Sequence, residues 1–102
     1  MAGITTHVLD TAKGKPAQGI AVTLSILDSD WKQIAKGVTD ADGRCRTLTE
    51  GTELKRATYR LTFKTDTFFP EVSIVFRVDD PAQHYHVPLL LSPFGYSTYR
   101  GS

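Results

Sequence analysis

The chain has 102 residues, 40% hydrophobic and 23% charged, with twelve basic residues against eleven acidic ones. That length suits one domain around one modest core, and residues 1–102 are expected to form it. A net charge of +1 argues against nucleic-acid binding and a polybasic membrane anchor, and no apolar run is long enough to cross a bilayer.

Alternation with period two dominates from the start, the mark of strands with one buried side. "ITTHVL" reads as the first strand and "KGKPAQG" as the turn after it. In "GIAVTLSIL", Ile20, Val22, Leu24 and Ile26 point one way and Ala21, Thr23, Ser25 and Leu27 the other. "DSD" turns the chain into "WKQIAKGV", and "TDADG" turns it into "RCRTL". After "TEGTE", the strand "TYRLTFK" sets Tyr59, Leu61 and Phe63 against Arg60, Thr62 and Lys64. "KTDTFFP" leads into "EVSIVFRV", where Val72, Ile74, Phe76 and Val78 oppose Glu71, Ser73, Val75 and Arg77. "DDPAQ" precedes "YHVPLLLS", and "SPFG" precedes the closing "GYSTYRG". No stretch carries an apolar stripe at helical spacing over ten residues. Short strands with turn signals at regular intervals predict an all-β, antiparallel sandwich. Pro88 has no hydrogen for a strand ladder, so its strand is expected to bulge or lie at an edge there. "MAGITTHVLD" lacks the basic start and apolar run of a secretory signal, and Cys45 is the one cysteine. A cytoplasmic location is the expectation.

The residues that carry chemistry are few. His84 and His86 lie two apart on a strand and so share a side. Such a pair can ligate zinc or copper, with His7 as a third ligand, but the spacing equally describes ordinary polar positions on a sheet surface. No metal and no cofactor are expected. "TDADGR" is better read as a tight turn on Asp42–Gly43 than as a calcium loop, because Arg44 fills a ligand position and no closing glutamate follows. The turn then presents Arg44. Cys45 reads as a small buried side chain rather than a nucleophile, and no "GxSxG" elbow is present. The tail "YSTYRGS" holds more aromatic, hydroxyl and cationic groups than an edge strand requires.

Four segments, "THVLDTAKGKPAQGI", "TDADGRC", "FFPEVSIVF" and "HYHVPLLLSPFGYSTYRGS", together resemble the 5-hydroxyisourate hydrolases, transthyretin-related enzymes of urate breakdown. The resemblance spans nearly the whole chain and is most specific in "HVPLLLSPFGYSTYRGS". It implies a prealbumin-like sandwich of two four-stranded sheets. It also implies a homotetramer, a dimer of dimers, with sites in channels where the dimers meet. The implied reaction is metal-independent hydrolysis of 5-hydroxyisourate. By their places in the matched motifs, His7, Arg44, His86 and Ser102 are implied as catalytic and Tyr99, Arg100 and Gly101 as substrate-binding. His84 takes a supporting role, and either His7 or His86 can be the base. Family members carry a short helix before the "FFPE" segment; "KTDTFFP" leaves room for a turn, so that helix is expected to be absent. Two other readings compete, a transthyretin-like small-molecule binding protein and a noncatalytic β-sandwich scaffold. Two histidines, an arginine and a hydroxyl-rich tail would give a carrier a channel too polar for an apolar hormone.

Overall fold

Burial follows the alternation of the sequence closely. In "TYRLTFK", Tyr59, Leu61 and Phe63 are buried, while Arg60 and Thr62 are partly exposed and Lys64 is exposed. The computed structural model describes residues 3–101. Its strands are β1 (Gly3–Asp10), β2 (Lys15–Pro16), β3 (Ala21–Asp28), β4 (Asp30–Val38), β5 (Arg44–Cys45), β6 (Ala57–Lys64), β7 (Glu71–Val78), β8 (His84–Ser92) and β9 (Gly95–Thr98). One sheet runs β4-β3-β6-β7, and every pairing in it is antiparallel. The other runs β2-β1-β8-β9, with β5 also paired to β1. This prealbumin-like sandwich has no helix among the described residues.

Two details go beyond the sequence reading. The second sheet counts five strands because the two-residue β2 and β5 both pair with β1. The antiparallel expectation is corrected at one place, since β1 and β8 run parallel from Gly3↔His84 to Asp10↔Leu91. The chain leaves β1, builds the whole opposite sheet and re-enters at the end where β1 began, so β8 lies alongside in the same direction.

The core fills the space between the sheets. Val22, Leu24, Leu61 and Phe63 meet Ile4, Val8 and Leu89, all 0% exposed. Burying a side chain of this size contributes roughly 1.5–3 kcal/mol. The buried tyrosines keep their hydroxyls bonded, as their polar ends require. Tyr59 donates to Lys55 C=O (3.1 Å) and Tyr85 to Asp80 C=O (3.1 Å). β4 alternates poorly because its register slips opposite Leu24/Ser25, leaving Ile34 as the extra residue.

Pro88 neither bulges nor shifts its strand. The ladder to the C-terminal tail lapses there and resumes at His86↔Gly101 in the register set by Leu89↔Thr98. Thr98 Oγ1 instead donates to Pro88 C=O at 2.7 Å. No helix of the described residues is long and apolar enough to cross a membrane.

Candidate active site

The pleat decides which side chains leave the core. On β1, Ile4, Thr6 and Val8 are buried, so Thr5 and His7 point to the opposite side of the sheet. On β8, Tyr85, Val87 and Leu89 are buried, and His84 and His86 point outward. Register then groups them. His7 sits between Arg44 of β5 and Pro88 of β8. Thr5 sits beside His86, and His86 beside Gly101 of the tail. Neighbouring strands lie roughly 4.8 Å apart, so one flat ligand can touch Arg44, His7 and His86 together.

Arg44 owes its place to the turn before it. Gly43 N–H donates to Asp40 C=O (2.9 Å), and Asp40 Oδ1 accepts from the N–H of Asp42 (2.9 Å) and of Arg44 (3.1 Å). Those bonds, led by the one from Arg44, hold the Asp40 carboxyl below its usual range. Gly43 adopts φ 75°, and a Cβ there would lie 2.4 Å from Val8 C=O. Only glycine lets the turn press this close to β1 and deliver Arg44 next to His7.

His86 is the most constrained of the group. Its Nδ1 lies 2.9 Å from Thr5 Oγ1, and its C=O accepts from Gly101 N–H at 2.8 Å. Burial, then the positive charge of Arg44 and the neighbouring His84 and His7, push its pKa below the ordinary imidazole value. The ring is therefore kept neutral and able to accept a proton at neutral pH. A Cβ at Gly101 would lie 2.6 Å from His86 Cδ2. Gly101→Ala is accordingly expected to displace the ring and lower kcat by up to about 10²-fold, the cost of a ~1 Å misplacement. Turnover measured beside an unchanged circular-dichroism melt checks this.

The structure gathers His7, Arg44, His86 and Gly101 on one surface of the second sheet. It sends Arg100 elsewhere. That guanidinium carbon lies 4.6 Å over the ring of the inward-facing Tyr85, and Nη2 donates to Gln83 Oε1 at 3.1 Å. One residue of alternation separates it from Gly101. Tyr99, opposite Pro88, is 58% exposed. Ser102 lies outside the described residues. Thr5 is the residue that the motifs missed, although its spacing from His7 already put both on one side.

Cys45 is 2% exposed, and burial pushes its thiol up, away from the reactive thiolate. Among the described residues no group of three or more His, Cys, Asp or Glu is placed to hold a metal. A cleft of about 400 Å³ beside Phe68 and Phe94, and one of about 490 Å³ beside Lys15 and Gln18, lie apart from the histidines. Neither is lined by a histidine or an arginine.

A two-sheet β-sandwich with β1 and β8 parallel in one sheet is of a transthyretin-like class, and here that sheet carries two imidazoles and a guanidinium on its outer surface. The sequence pattern of the HIUase/Transthyretin family matches residues 4–101, and the chain belongs to that family. It is 47% identical over 116 positions to a 5-hydroxyisourate hydrolase of Caulobacter vibrioides, covering 100% of each chain. The alignment is longer than the 102 residues present, so this chain skips positions that its relative fills. Among solved structures it resembles Klebsiella pneumoniae 5-hydroxyisourate hydrolase (TM-score 0.85, 36% identity, 97% of this chain and 98% of that one). It also resembles sea bream transthyretin in complex with thyroxine (TM-score 0.88, 33% identity, 96% and 93%).

Proposed function

We propose that the chain is a 5-hydroxyisourate hydrolase, opening the purine-derived ring of its substrate with water. The observation that carries the reading is the convergence of His7, Arg44 and His86 on one outward surface. Hydrolysis of a cyclic amide needs an activated water, a cation at the developing oxyanion and a site that orients the ring. His86, held neutral, takes a proton from water as the oxygen attacks the ring carbonyl. Arg44 offers planar paired N–H donors to the carbonyl oxygen. His7, between Arg44 and Pro88, orients the water or the ring. The C–N bond then breaks, the nitrogen receives a proton and a carboxylate is left. Tyr99 and Gly101 complete the rim, with Gly101 fixing the His86 ring, and Ser102 keeps the catalytic role implied by its place in the matched motif; Arg100 secures the tail through Tyr85 and Gln83.

Enclosure by other copies of the chain belongs to this reading. On one protomer the surface lies open, and excluding water strengthens every electrostatic contact within a site. A homotetramer with a second dimer across this surface would close it. A carrier like the thyroxine-bound transthyretin is the competing reading, and the imidazoles and guanidinium disfavour it because an apolar ligand would strip them of water. The test is whether the chain speeds the loss of ultraviolet absorbance of freshly made 5-hydroxyisourate. Its sedimentation mass should be four times that of one chain. No acceleration over buffer ends the proposal.

A further inference from the structure

His84 and His86 meet at one hydroxyl. Thr5 Oγ1 lies 2.9 Å from His86 Nδ1 and 2.8 Å from His84 Nε2, across rings 6.4 Å apart. A threonine hydroxyl has one hydrogen, so it donates to one ring and accepts from the other. The bonds therefore run in one of two senses. With the His86 hydrogen on Nδ1, His86 gives to Thr5, Thr5 gives to His84 Nε2, and His86 Nε2 keeps its lone pair. In the reverse sense Nε2 holds the hydrogen and the base is blocked. Among the described residues His86 Nε2 forms no hydrogen bond, so it is the nitrogen open to water.

We propose that Thr5 is a positioning residue that fixes His86 as the Nδ1–H tautomer and relays a proton between His86 and His84 during hydrolysis. The inference rests on the hydrolase reading above. As Nε2 takes a proton from the attacking water, the Nδ1 proton passes to Thr5 and the Thr5 proton passes to His84 Nε2. His86 stays neutral, the threonine never carries charge, and the positive charge resides on His84. When His86 Nε2–H protonates the departing ring nitrogen, the relay runs back and restores the starting tautomer. No proton is gained or lost by the three residues over the cycle.

The surroundings favour this route over a simple imidazolium at His86. That ring is half-buried and faces Arg44 from β5, His7 from β1 and His84 from its own strand. Another positive charge there is repelled and poorly solvated. His84 is exposed, so water solvates the charge there.

The test combines ¹⁵N imidazole spectra with turnover of 5-hydroxyisourate across pH, for the intact chain and three variants. The unaltered chain is expected to show His86 as Nδ1–H. Thr5→Val should lose that preference and about 10²-fold in kcat, the lower end of positioned acid–base catalysis, with little change in KM. Thr5→Ser should recover most of both. His84→Gln should keep the tautomer, because an amide oxygen can still accept from Thr5, yet lose kcat because it takes no proton. Wild-type kcat and tautomer in Thr5→Val overturn the proposal, as does a loss in Thr5→Ser equal to that in Thr5→Val. An unaltered chain with no turnover sinks the hydrolase reading and the relay with it. The spectra then decide the positioning role independently.

Discussion

Replacing His86 by asparagine is expected to lower kcat by about 10²–10⁴-fold, the range a positioned general base supplies. The substitution removes the proton acceptor and little else. His86 points away from the core, with Tyr85 and Val87 beside it carrying the packing, so the melting temperature should hold. An asparagine can still bond to Thr5. Loss in kcat with KM nearly constant marks a group that acts in the transition state rather than in binding. In the unaltered chain the acid limb of the rate profile should fall below the usual imidazole value of about 6.5, because burial and Arg44 lower the His86 pKa. A fully active His86→Asn chain removes this residue from the machinery and leaves His7 as the base.

Arg44→Gln carries the second large effect, and it has two parts. Losing a donor aimed at a developing oxyanion costs roughly 10²–10³-fold in kcat. The acid limb should also move. The guanidinium opposes protonation of His86, so removing it raises the His86 pKa. The base then becomes protonated at higher pH than before, and the limb shifts toward higher pH. The dependence of kcat/KM on pH, which reports the free protein, reads this directly. A limb that stays in place while activity falls would leave Arg44 an oxyanion donor with no electrostatic hold on the base.

Much of the architecture was legible in the residues. β6 and β7 have the buried sides that period two assigns, and Asp42–Gly43 makes the turn that presents Arg44. The rest depended on partners far along the chain. Nothing local in "ITTHVL" says that it will run parallel to "YHVPLLLS", or that two residues at Lys15 and two at Arg44 will flank it. Thr5 could be put on the His7 side by counting, but its bonding partners lie 79 and 81 residues away. The terminal motif groups Arg100 with its neighbours as one unit. The pleat separates them, sending the guanidinium to Tyr85 while Gly101 presses on His86.

The parallel pairing of β1 with β8 also dictates an order of assembly. Hairpins β3–β4 and β6–β7 join near neighbours in the chain, whereas β1 finds β8 only across almost its whole length. Chain entropy makes such distant closures slow, so the Trp31-bearing sheet should form first. During refolding, fluorescence of the sole tryptophan is expected to recover ahead of enzymatic turnover, and simultaneous recovery would refute this sequence of events. On this order catalytic competence is expected to be the last property the polypeptide acquires, so that a half-folded molecule does not act on substrate prematurely.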